Sequence, residues 1–406
     1  MILNQLQDYN RFNSFFIKEE GYPFLFFIKK FNTLNNMKNK ILFILCVTVV
    51  ISACQKTTNN SSTDTFADDR SSLLENVTNN IIIPAHENLK TNIDDLKLKA
   101  ENFTNSPTST NLSSLRNAWM HAYMSWQYVE MFAAGKAGEI DFPKSMNTYP
   151  CSGDRINSRI AGQPYDLNQG GPNSHEAQGF PALDYMLYGL DVDSNMVLDF
   201  YIGNDGDKYL AYLNAVINQM SNNTNLVLDD WKATKDNFIS LNGNNATAGV
   251  NILTNDFIYY YEKGLRSYKI GIPCGKIGPT TRPPYEKGVE AYYRKDISKQ
   301  LALTALNACK DFFMGKSVNS PTVGFSYNDF LVEHGESALS ADIINALDEA
   351  NIAINALEEN FRLQIAQDNV VMRDAYDEVH DVVSLLKVKM LAVLNFEPDY
   401  SDTDGD

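Results

Sequence analysis

From Leu112 to Ala133 the apolar residues fall on one face of a helix: Leu112, Leu115, Trp119, Ala122, Tyr123, Trp126, Val129 and Ala133 repeat at the 3.6-residue period. The same spacing returns along the chain. Leu73, Val77, Ile81, Leu89, Ile93, Leu96 and Ala100 make an earlier stripe that Pro84 is predicted to kink or restart. Further helices are predicted over about 207–220, 226–241, 248–269, 285–314, 338–363 and 369–394, and no alternating Val/Ile/Thr run competes as a strand. Helices striped in this way must bury their apolar faces against one another, so the chain is expected to be all-α and built from bundles. A seam at Leu347, Ile354 and Phe361, seven residues apart, suits antiparallel packing. The polar break NGNNAT at 242–247 divides the chain into two expected lobes, 69–244 and 245–400, packed together. Irregular Gly- and Pro-bearing loops at 135–173 and 271–284 are expected at their interface. With 406 residues, 44% of them hydrophobic, both lobes have enough apolar material for a core.

Three acids stand out against this apolar background. In the stretch SHEAQGFPALDYMLYGLD, residues 174–191, Asp184 is the lone charge between Phe180 and Leu190. Aspartate is seldom buried without a partner, so Asp184 is either a satisfied structural carboxylate or faces a groove that receives a cation, a proton or a ligand. Glu130 follows Trp126 by four residues and Tyr123 by seven, which puts it on the apolar face. The structural alternative there is a cap from Arg116 or a tyrosine hydroxyl. Glu290 precedes Tyr293 by three and Ile297 by seven and extends the stripe of the helix predicted over 285–314. As hard oxygen donors, Asp184, Glu130 and Glu290 suit ferric iron or another divalent or trivalent cation if they converge. His175 and Glu176, just upstream in a polar loop, are additional candidate donors or solvated surface. Trp126, Tyr185 and Tyr293 would supply contact area if the groove takes haem, a chelate or a partner protein. Pro181 fits the first turn of a helix, where its missing N–H costs nothing.

The segment Gly179-Phe180-Pro181-Ala182-Leu183-Asp184-Tyr185-Met186-Leu187-Tyr188-Gly189 resembles the signature of imelysin-like proteins, Gly-x-His-x-x-Glu followed by an aromatic and aliphatic run and a glycine. Pro181 stands at the histidine position and Asp184 at the glutamate position. Other stretches are similar to the family in the same order: IIIPAHENL, the Trp-rich SLRNAWMHAYMSWQYVEMFAAG, the turn from Lys269 to Pro273, Val289-Glu290-Ala291-Tyr292, and the ending DYSDTDGD. The resemblance spans roughly 73–406. It implies an all-α envelope protein of two helical lobes, linked to iron uptake, with a site between the lobes; some relatives were described as metallopeptidases. In the family, His and Glu one turn apart could both point at one metal ion, whereas proline has no ligand atom. The chain also lacks a His-Glu-x-x-His helix. The expectation is a non-catalytic binding component of iron, iron-chelate or haem acquisition. A metal-dependent peptidase with an altered ligand set is the alternative, as is a structural or partner-binding relative. Read as a calcium loop, the acidic ending lacks the bidentate glutamate of the twelfth position.

The amino-terminal region carries its own pattern. Residues 1–36 are Phe- and Asn-rich without clean periodicity and read as upstream of the true start, Met37. Lys38 and Lys40 form a positive region, Ile41 to Val50 an apolar core too short to favour a spanning helix, and Ile51-Ser52-Ala53-Cys54 resembles a lipobox. Residues 37–53 are therefore expected to be a lipoprotein signal peptide, Cys54 the lipidated first residue, 54–68 a polar tether, and 401–406 an acidic tail. This places the protein at the bacterial cell envelope, held by Cys54 and expected on the outer membrane, while the resemblance to imelysin-like proteins implies iron-transport proteins as candidate partners. Removing residues 1–53 takes away six Lys/Arg and three Asp/Glu, which carries the net charge from −16 to −19. That charge argues against nucleic acid as a partner, because no basic stripe neutralises phosphates. Cys151 and Cys274 lie in irregular Pro-containing loops, one per expected lobe, and an exported location permits them to pair; Cys309 sits within a helix as a buried thiol.

Overall fold

Proline 84 has no N–H to offer a preceding turn, and the first long helix changes pitch just before it. In the computed structural model, which describes residues 66–168, 171–277 and 283–396, α1 (Ala67–Asn76) passes through a π-helical turn, Val77–Ile82, into α2 (Ile83–Asn105). The signal segment, Cys54 and the acidic ending lie outside the described residues. Helix α3 (Ser109–Trp126) starts where the Thr108 hydroxyl accepts the N–H of Asn111, and it packs along α2. The signature stretch forms the short α4 (Gly179–Asp184). Two helices expected over 207–220 and 226–241 are one 34-residue helix, α5 (Gly206–Ile239). The polar run between them does not break it because its side chains find partners: Thr224 on the carbonyl of Met220, Asn225 on that of Ser221, Asn223 on the Ser145 hydroxyl. The chain continues with α6 (Gly249–Tyr259), which runs into the π-helical Tyr260–Gly271, and then α7 (Ser298–Phe313), α8 (Ser337–Asn355) and α9 (Asn369–Ser384).

Helix α2 packs against both α3 and α5 to make one bundle; α7, α8, α9 and the π-helical segment after α6 pack as another. The chain from Phe66 onward forms one compact unit. The described residues include no β-strand beyond an isolated bridge between Lys316 and Val323, so the fold is all-α as the periodicity predicts. Among them no helix is long and apolar enough to cross a membrane.

Three boundaries differ from expectation, and two of them move acids. Helix α3 ends at Trp126, so Glu130 lies in the turns beyond it. The helix predicted over 285–314 begins only at Ser298; Glu290 follows a 3₁₀ turn, Glu286–Gly288, on irregular backbone. Neither acid sits on a helical stripe. Ala291 (φ +54°) and Lys295 (φ +75°) adopt the left-handed region there, which stops any helix from propagating. Helix α8 ends at Asn355, and Phe361 opens a separate helix, Phe361–Gln367, so the seam stops at Ile354 although Phe361 is still buried.

Candidate functional site

The signature begins at a residue only glycine can occupy. Gly179 has φ +70°, and a Cβ there would stand 2.2 Å from the carbonyl oxygen of Met146. Two residues later Pro181 takes its place in the first turn of α4, where N–H groups have no helical acceptor. After Asp184 the helix widens into a π-helical segment, Tyr185–Gly189. Asp184 is 2% exposed, and each of its oxygens already has a donor: Oδ2 accepts the N–H of Tyr293 and Oδ1 that of Arg294, both at 2.8 Å. These bonds hold the turn bracketed by Ala291 and Lys295, whose left-handed backbone costs roughly 1–3 kcal/mol per residue. Burial pushes the Asp184 carboxyl up to about 7, against the two N–H donors and the guanidiniums of Arg294 and Arg362, which pull it down.

A cleft of about 410 Å³ opens over this turn. Asp184, Glu176, Tyr185 and Tyr293 line it, together with Pro181 and Cys151, and five tyrosines in all form its walls: Tyr149, Tyr185, Tyr285, Tyr292 and Tyr293. The rings of Tyr185 and Tyr293 meet edge to face at 5.1 Å, and the Tyr185 hydroxyl accepts a bond from Asn157 at 2.7 Å. Burial raises the phenol pKa of both, so at neutral pH they remain protonated donors. Glu176 pairs with Arg155 at 2.7 Å.

Two expected residues are elsewhere. Trp126 is fully buried, packed on Phe142 and Phe180 in the core, because an indole surrounded by rings gains more from burial than from a wet groove. His175 is buried against the short helix Phe142–Met146, and desolvation lowers its pKa, which keeps the imidazole neutral.

Glu130 and Glu290 are brought together, but around an ammonium. Lys269, 1% exposed on the π-helical segment after α6, places Nζ 2.7 Å from Glu290 Oε2 and 3.5 Å from Glu130 Oε2. The Asn147 amide bridges the same two acids, donating to Glu130 Oε1 at 2.8 Å and Glu290 Oε1 at 2.9 Å, while its own oxygen accepts from Tyr123 at 2.6 Å. Tyr260 donates to Glu130 at 3.1 Å. Burial lowers the Lys269 pKa, but the two carboxylates outweigh it and the net shift is upward; burial raises that of Glu130 despite the ammonium. Of the two caps weighed for Glu130, the tyrosine hydroxyl is present. Arg116 turns instead to the carbonyls of Leu187 and Ser194. Asp184 hydrogen bonds to neither glutamate, and among the described residues no group of three or more His, Cys, Asp or Glu is placed to hold a metal ion. Lys269 and Asn147 escaped the sequence reading. The buried face of the segment that carries Lys269 also holds Glu262 and Arg266, so no lone-charge signal singles Lys269 out.

The expected bridge between Cys151 and Cys274 is absent, and both are free thiols, as is Cys309. Cys151 lines the cleft, whereas Cys274 is buried in the turn Ile272–Cys274 with its sulfur directed to the carbonyl of Gly271. Two irregular loops, one from each half of the sequence, are not enough to align two Cβ atoms for a bridge.

The imelysin (peptidase M75) family profile matches residues 82–386. The chain belongs to the imelysin family. An imelysin-like protein from Psychrobacter arcticum has a crystal structure that superposes with a TM-score of 0.66 at 18% identity, covering 82% of this chain and 98% of the other. A candidate iron-regulated protein A precursor from Parabacteroides distasonis superposes with a TM-score of 0.62 at 17% identity, covering 80% and 94%. Iron-regulated protein A of Synechococcus elongatus is 25% identical over 108 residues; the match spans 27% of this chain and 29% of that relative's length. The imelysin signature implies a metal held by its His and Glu. The residues here do not fit a bare ion: Pro181 has no donor atom, Asp184 accepts a backbone N–H at each oxygen, and Glu130 and Glu290 share the one ammonium of Lys269.

Proposed function

We propose that this imelysin is a non-catalytic, lipid-anchored binding protein of the bacterial cell envelope that takes iron already enclosed in a small organic chelate or haem, in the tyrosine-walled cleft above Asp184. The observation that carries the reading is the chemistry of that wall. Five tyrosines offer ring faces to the outside of a complex, Tyr185 and Tyr293 keep phenolic protons to donate, and both oxygens of the one deep carboxylate already accept backbone N–H groups. A volume of about 410 Å³ is in the range of small-ligand sites. The iron link comes from the names of the relatives. Export and anchoring rest on the signal pattern from Met37 to Cys54, with iron-transport proteins as the partners that would receive the ligand.

Calorimetric titration separates this reading from its rivals. Wild type and Tyr185→Ala are titrated with haemin and with a ferric chelate, and the same chelator free of iron serves as the blank. The iron-loaded ligand should bind more tightly than the blank, and the substitution should weaken it by roughly tenfold, the loss of about 1.4 kcal/mol of contact. Equal heats for loaded and free chelator, with no response to haemin, would overturn the proposal. Cleavage of an unfolded protein substrate that a metal chelator abolishes would favour the peptidase. Mass spectrometry of membrane-extracted protein should find Cys54 acylated.

A further inference from the structure

Tyr292 and Tyr293 are shared by a second cavity, of about 700 Å³, that lies against the same turn and has no other lining residue in common with the cleft. Its wall contains Arg116, Arg294, Arg362 and Lys295 against a single acid, Asp191. In a chain of net charge −16 such a concentration of cations runs against the average. We propose that this cavity binds a small multivalent oxyanion, a polycarboxylate or a phosphate-type group, between the guanidiniums of Arg116, Arg294 and Arg362.

Carbonyls and aromatic rings hold the three forks, and two of them also meet a carboxylate outside the cavity wall, Arg294 at 2.7 Å from Asp296 and Arg362 at 3.5 Å from Glu286. Arg116 donates through Nε and Nη2 to the Leu187 carbonyl, at 2.9 and 2.6 Å, and through Nη2 to that of Ser194 at 2.8 Å, and none of these acceptors is charged. Its guanidinium lies over the Tyr188 ring at 4.6 Å, and that of Arg294 lies over the same ring at 5.3 Å. The two like charges face one aromatic ring; burial lowers the Arg116 pKa, Tyr188 and Tyr201 oppose that, and Arg294 adds a smaller downward pull. Arg294 has Asp296 as its one carboxylate. Arg362 stacks on Tyr292 at 4.0 Å, donates to the Tyr292 carbonyl at 3.3 Å, reaches the exposed Glu286 only at 3.5 Å, and has no acceptor for Nε. Lys295 is exposed at the rim. Rings and carbonyls fix these planar forks in place before any ligand arrives, and bidentate guanidinium pairing selects carboxylate or phosphate oxygens. An entering dianion relieves the repulsion that the empty arrangement bears.

The site shares only Tyr292 and Tyr293 with the cleft, and its cations are tested separately from it. The full chain is titrated at low ionic strength with iron-free citrate, with inorganic phosphate and with acetate as a monovalent reference. One of the two multivalent anions should bind and raise the melting temperature, with acetate much weaker. Tighter citrate identifies a polycarboxylate site and tighter phosphate a phosphate-type site. Arg362→Gln should weaken binding by roughly tenfold or more, as expected for loss of a charged hydrogen bond. Lys295→Gln, at an exposed side chain, should weaken it severalfold with no change in melting temperature. Asp191→Asn should tighten it, and Tyr185→Ala should leave it unchanged. Failure of both citrate and phosphate to bind the folded chain, or binding that is indifferent to Lys295→Gln and Arg362→Gln together, overturns the proposal whatever becomes of the iron ligand.

Discussion

Asp184 accepts the backbone N–H of Tyr293 at 2.8 Å across 109 residues of sequence, and its second oxygen accepts the next N–H, that of Arg294. One carboxylate thus fixes the turn from which Tyr293 reaches the cleft and Arg294 reaches the cationic cavity. In this imelysin the signature acid fixes the backbone of the turn that borders both cavities.

Replacing that acid with its amide tests the role. In Asp184→Asn the side-chain NH₂ faces a backbone N–H, which leaves a buried donor unpaired at a cost of about 1–3 kcal/mol. The expected outcome is a lower urea midpoint together with weaker binding in both cavities. An unchanged midpoint would show that the turn stands without the carboxylate.

Stability should also depend on pH through this group. Its pKa in the folded chain is about 7, raised by burial, above the ordinary aspartate value near 3.9 in the unfolded chain. The folded state therefore holds the proton more tightly, so this contribution is largest below about pH 4 and is lost as pH rises to about 7, by at most roughly 4 kcal/mol. Melting temperatures taken across that window should fall for wild type relative to Asp184→Asn, which has no such proton to lose. Parallel curves would rule the coupling out.

The buried ammonium predicts a larger effect. Lys269→Met leaves Glu130 and Glu290 facing one another without a counter-charge, and breaking such a buried pair costs about 3–5 kcal/mol. Chemical denaturation should show that loss, and Glu130→Gln with Glu290→Gln in the same chain should recover much of it. If the triple variant is no more stable than Lys269→Met, the charges are not what the lysine serves.

The helical period made the bundles legible, and the lone acids marked the positions around which the interior is polar. What the sequence did not disclose is direction. Glu290 reads as helical by its spacing to Tyr293 and Ile297, yet left-handed backbone at Ala291 and Lys295 takes it off any helix and aims it at Lys269. Lys269 itself is 139 residues from Glu130, and no local rule pairs them. Trp126 shares its stripe with residues near the site but points into the ring cluster of Phe142 and Phe180, a choice made by core packing. The cations of the second cavity come from three separate segments and leave no trace as a basic run.

Thiol mapping gives a direct check of the loops. Non-reducing peptide mass analysis should find Cys151, Cys274 and Cys309 all unpaired. Burial pushes the Cys274 thiol up to about 11 and raises the other two as well, so native labelling at neutral pH should be slow. A Cys151–Cys274 peptide would contradict the structure.

Because Lys269 is part of the polypeptide, the positive charge that Glu130 and Glu290 require is built in at translation and never has to be scavenged. The interior of this imelysin is therefore assembled to the same degree in famine as in plenty. For the binding role proposed above, that self-sufficiency makes the fold independent of the supply of any ligand.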